Sequence, residues 1–169
     1  MCVRILRSDG ERLGYTKDFT IYDADDTKRL VKDIMSEHGF DTKRYPENAV
    51  RSRISAAKND LKLPGDMPQN EPFAKVVATV YKAMQTRLKR ANAMDFDDLL
   101  LNTYLLFRDN PDLVNSYGMR FRYILVDEYQ DTNGAQYAIT KMLAKVQGNL
   151  MVVGDDDQSI YSWRGADIR

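Results

Sequence analysis

The sequence predicts an α/β chain: a mostly helical first part followed by a partial unit of parallel β-α-β form. Three observations predict it. Apolar residues recur with a period near 3.6 through most of residues 27–107, the spacing of helices with one buried face. Two short, uniformly apolar runs, "RYILV" and "LMVV", then flank a helical segment, "GAQYAITKMLAKVQG". Both runs end in acids. Each run is too short for a typical helix and too uniform for an amphipathic one, so each reads as a strand buried on both faces. Strand, helix, strand at this spacing implies a parallel pair joined by a crossover helix.

The elements follow in order. Asp23, Asp25 and Asp26 precede "TKRLVKDIMSEHG", where Leu30, Val31, Ile34 and Met35 share a face and Gly39 is the terminator. Pro46 opens "ENAVRSRISAAKNDL", with Val50, Ile54, Ala57 and Leu61 at helical spacing. "LPGDMPQNEP" is a turn-rich connector. Phe73, Val76, Val77, Val80, Tyr81, Met84 and Leu88 then mark a long helix. Asp95 reads as the N-cap of "FDDLLLNTYLLF", which ends near Asn110-Pro111. The boundary between the helical part and the α/β part falls near Tyr117 to Arg120, dividing residues 1–118 from 119–169.

A chain of 169 residues can bury a real core, and 43% apolar with 30% charged residues is ordinary for a globular protein. Net charge is zero, so no global field advertises a nucleic-acid partner. The charge is segregated, however. Thr42 to Lys62 holds six bases against two acids, and Lys75 to Arg90 holds five bases and no acid. Among these, Arg51, Arg53, Lys58 and Lys62 recur at mixed helical spacing and read first as a solvated helix face. Cys2 is the only cysteine, which rules out an internal disulfide and points to a reducing, cytoplasmic compartment. With one histidine, His38 at a helix end, a zinc site is not expected. The longest apolar stretch, "LLLNTYLLF", falls far short of the about 20 residues of a membrane span.

The chemistry concentrates at the strand ends. In open parallel sheets, ligands collect beyond the carboxyl ends of the strands. Asp127 and Glu128 follow the first strand; Asp155, Asp156 and Asp157 follow the second. Neighbouring carboxylates on a strand point to different faces, so one can hold Mg²⁺ while the other orients or deprotonates a water. The alternative is that these acids are helix caps and solvated loop residues, with Asp131 and Thr132 capping the helix that follows. The second loop, "GDDDQSIYSWRGAD", adds Gln158, whose amide can donate to a phosphate or accept from a water. It also adds Tyr161, Trp163 and Arg164, the equipment for stacking on a nucleobase beside a neutralised phosphate. Tyr161 and Trp163 could equally be apolar anchors of a folded loop.

"ILVDEYQDTN" and "VVGDDDQSIYSWRGA" resemble motifs II and III of the UvrD/PcrA/Rep helicases, the superfamily 1 DNA translocases, almost end to end. "AMDFDDLLL", "RISAAKNDL" and "LGYTKDFTIYD" are similar to further segments of that family, so the resemblance covers essentially the whole chain. It implies a mainly helical 1B-like insertion, followed by a partial RecA-like domain 1A of the P-loop NTPase fold. It implies that Asp127 coordinates the Mg²⁺ of bound ATP, that Glu128 activates the attacking water, and that Gln158 senses the γ-phosphate. By the same resemblance Tyr161 and Trp163 lie along single-stranded DNA and Arg164 links nucleotide to DNA. Arg51, Arg53, Lys58 and Lys62 lie in the region near the duplex, where the resemblance implies phosphate contact for a share of them. The implied function is ATP-driven 3'-5' translocation on single strands and unwinding at single-strand/duplex junctions, with DNA repair among its settings.

No glycine of the chain lies in the phosphate-cradling pattern G-x-x-x-x-G-K-[ST]. The expectation is therefore an internal slice of such a helicase, inactive toward ATP alone. Its parallel strands should have open edges that are disordered, covered by local chain or paired with another copy. Two other readings are a short non-catalytic DNA-binding or interaction module, and a metal-dependent nuclease built on Asp127, Glu128 and Asp155 to Asp157.

Overall fold

The computed structural model describes residues 1–127 and 132–153. The chain divides into two compact units, one of residues 1–58 and 62–99, the other of residues 59–61 and 100–169. The segment Asn59–Leu61 thus belongs to the second unit although its sequence neighbours on both sides belong to the first.

The first unit contains α1 (Cys2–Asp9), β1 (Thr20–Tyr22), α2 (Ala24–Glu37), most of α3 (Glu47–Asn59), α4 (Pro72–Arg90), β2 (Ala93–Asp95) and the first turn of α5 (Phe96–Asp109). Local chemistry sets the helix ends. Asp23 accepts from the Asp26 amide and Asp26 accepts in return, a reciprocal cap that starts α2. That amide also holds the Asp23 carboxyl below its ordinary range. His38 closes the same helix with Nδ1 2.9 Å from the Ile34 carbonyl, and Gly39 follows at φ 68°, as a helix stop requires. Pro72 sits in the first turn of α4, where its missing N–H is harmless. Val31, Ile34 and Met35 of α2, Val50 and Ile54 of α3, and Val77, Val80 and Tyr81 of α4 form the core, each at most 2% exposed. Burying each such side chain stabilises the fold by about 1.5–3 kcal/mol.

The sequence reading missed the parallel pair β1–β2, in register Thr20↔Ala93 through Tyr22↔Asp95. Three-residue strands carry no periodicity to detect, and Ala-Met-Asp has no β preference of its own. Asn92, at φ 48°, turns the chain from α4 into β2 and locks it there: its amide accepts from Thr16 N at 3.0 Å and donates to Thr16 Oγ1 at 2.7 Å.

The second unit contains the rest of α5, then α6 (Pro111–Arg120), β3 (Ile124–Val126), α7 (Gly134–Gln147) and β4 (Leu150–Val152). As the sequence predicts, β3 and β4 pair in parallel through the crossover helix α7. Helix α6 lies against α7 at Gly118, where an added Cβ would sit 2.5 Å from Val146 Cγ2 and 3.1 Å from the Leu143 carbonyl. Gln147 Nε2 donates to the Gly118 carbonyl at 2.7 Å, fastening the same crossing.

The expectation that both strands are buried on both faces is corrected. Leu125 and Met151 are each 64% exposed, and all of β4 is exposed. Parallel strands are normally covered by helices and flanked by neighbours. Among the described residues no third strand joins this pair. No helix among the described residues is long and apolar enough to cross a membrane.

Candidate functional site

The register of the parallel pair places its two carboxyl ends together. Val126 lies opposite Val152, and the Val153 amide donates to the Val126 carbonyl at 2.8 Å. Asp127 follows directly after β3 and is exposed at that end. It offers the hard carboxylate oxygen that Mg²⁺ prefers. A nucleotide-bound Mg²⁺ takes one or two carboxylates and completes its octahedron with phosphate and water. Among the described residues no three acids, histidines or cysteines converge as a self-sufficient metal cage. A strand-end aspartate such as Asp127 fits an ion carried in with a nucleotide.

Glu128, Gln158, Tyr161, Trp163 and Arg164, and with them Asp155 to Asp157, lie outside the described residues. Asp131, one of the two caps in the alternative reading, also lies outside the described residues, and in place of Thr132 the residue that caps α7 is Asn133. Its Oδ1 accepts from Gln136 N at 2.9 Å, and Gln136 Oε1 accepts from Asn133 N at 3.1 Å. The other end of the Asn133 amide, Nδ2, donates to Asn59 Oδ1 at 2.8 Å, and both residues are buried.

Lys58, read from sequence as a DNA-binding residue, is also corrected. Its side chain is 0% exposed, with Nζ 2.7 Å from Asp95 Oδ2 and 2.8 Å from Asp98 Oδ1. It is sealed into an ion triad and cannot reach a phosphate. Asp95 and Asp98 also cap the start of α5 reciprocally, Asp95 Oδ1 accepting from Asp98 N at 2.8 Å and Asp98 Oδ2 from Asp95 N at 3.1 Å. Gln85 Nε2 adds a bond to Asp98 Oδ1 at 2.9 Å. Sequence reasoning saw the cap and missed the cation, although Lys58 stands one helical turn from buried Ile54 on the same face. Of the other candidate bases, Arg51 pairs with Glu47 at 2.7 Å, while Arg53 and Lys62 are exposed.

Burial opposes ionisation at both ends of the triad, yet the outcomes differ. Burial alone would lower the Lys58 pKa, but Asp98 and Asp95 outweigh it and hold it above its ordinary value. Asp95 moves the other way, pushed up to about 6 by burial, with Asp98 adding and Lys58 opposing. The asymmetry is physical: the cation faces two anions, whereas each carboxylate faces one cation and one like charge. The fully ionised triad carries a net negative charge that a single proton removes.

Helix α7 and the strand pair flank a half-open cavity of about 360 Å³, lined by Val126, Tyr137, Ala144, Leu150 and Val152 together with Thr132, Thr140, Lys141, Lys145 and Gly148. Its largely hydrocarbon wall suits packing against apolar groups and not a triphosphate.

A short parallel unit that presents a carboxylate beyond the carboxyl end of a strand has the layout in which open α/β sheets hold their ligands. The chain belongs to the UvrD/REP helicase N-terminal domain family, whose model matches residues 1–169. It is 49% identical over 171 residues to the ATP-dependent DNA helicase PcrA of Staphylococcus epidermidis, an alignment that covers 100% of this chain and 24% of that protein. It is 47% identical over 171 residues to PcrA of Staphylococcus aureus, covering 100% of this chain and 23% of that protein. The chain therefore spans about a quarter of the length of the curated relatives it matches.

Proposed function

We propose that this chain is a segment of an ATP-dependent 3'-5' DNA helicase that couples ATP hydrolysis to translocation along single strands and to duplex opening at single-strand/duplex junctions. Residues 1–118 are assigned to the helical 1B-like insertion with its flanking helices, and residues 119–169 to part of a RecA-like domain 1A. Asp127 is the residue that would hold the Mg²⁺ of ATP, a cofactor that shields the charge developing on the phosphates. Glu128 orients the attacking water, and Gln158 reads the γ-phosphate. Tyr161 and Trp163 stack on single-stranded DNA, and Arg164 joins the two ligands. The setting is cytoplasmic.

The single observation that carries this reading is the coincidence of the two strand ends beside Asp127, in a chain matched along its full length by the helicase family. Because no phosphate-cradling lysine motif occurs in the sequence, the 169-residue chain alone is expected to show no ATP turnover stimulated by single-stranded DNA. A longer protein carrying it is expected to show turnover and to lose it on Asp127→Asn. Robust turnover by the chain alone, or by the longer Asp127→Asn variant, refutes the assignment. Cleavage of DNA with Mg²⁺ and no nucleotide would favour the nuclease reading instead.

A further inference from the structure

We draw no further inference here: the strongest candidate, the exposed apolar face of the β3–β4 pair that carries Leu125 and Met151, is an unpartnered surface, and nothing in the structure shows what covers it.

Discussion

Lys58 Nζ stands 2.7 Å from Asp95 and 2.8 Å from Asp98, a lysine ammonium with no exposure to solvent, closed in by the two acids that cap the helix beyond it. The last turn of α3 and the first turn of α5 are thereby joined by charge.

Removing the cation is expected to be severe. Lys58→Met keeps most of the side-chain volume and leaves two buried carboxylates uncompensated, a loss of about 3–5 kcal/mol. Urea unfolding measures it; a change under about 1 kcal/mol would mean that water reaches the acids. Lys58→Met with Asp95→Asn and Asp98→Asn together should recover much of the loss, since no net charge then remains inside.

The triad also sets a pH dependence. The Asp95 pKa rises from 3.8 to about 6 on folding, so the native state holds a proton more tightly than the unfolded chain. The stability this contributes is fully present below about pH 4 and is lost as pH rises through 6. Wild type compared with Asp95→Asn, by urea unfolding at intervals from pH 4 to 7, should show the wild-type advantage shrinking as pH rises. An advantage that grows with pH rejects the shift.

At the crossing of α6 and α7, Gly118→Ala should destabilise the second unit. Alanine in a helix normally gains about 0.5–1 kcal/mol over glycine. Here the new methyl would sit 2.5 Å from Val146 Cγ2 and 2.6 Å from its Cβ, too close to the stem of a branched side chain for a rotamer change to relieve. Overpacking of about 1–3 kcal/mol then outweighs the helix gain. Thermal unfolding decides the sign, and adding Val146→Ala should remove the Cγ2 contact only, because alanine keeps the Cβ that lies 2.6 Å away.

For nucleic acid, Arg53 and Lys62 replace Lys58 as the bases of α3 and its exit to examine. Neutralising both to glutamine in a longer, active protein should weaken DNA binding at low salt. It should also flatten the dependence of log affinity on log salt by about 1 for each phosphate that is no longer neutralised. An unchanged slope would leave these bases as a solvated helix face.

Much of this was legible in the residues. The spacing of Leu30, Val31, Ile34 and Met35, and of Val76, Val77, Val80 and Tyr81, announced α2 and α4 because helical period and burial are the same fact seen twice. Asp95 announced its helix because a cap is a local bond. The run "ILV" before Asp127 announced a strand and the parallel pair. Lys58 was misread because a base in a basic stretch looks solvated until its partners, 37 and 40 positions away in sequence, are placed beside it. The Asn133–Asn59 bond was overlooked because its two residues lie 74 positions apart.

By itself, then, the sequence determined α2, α3, α4, α5 and α7, the β3–β4 pair and the family, though not α1 or α6. What it determined rests on interactions between residues close along the chain or on motifs read in order. Only the tertiary structure decided which polar side chains meet: the Lys58 triad, the Asn59–Asn133 bond, the tight approach at Gly118 and the β1–β2 pair. These join residues separated by 28 to 74 positions, and no local spacing encodes a partner that folding alone brings within 3 Å.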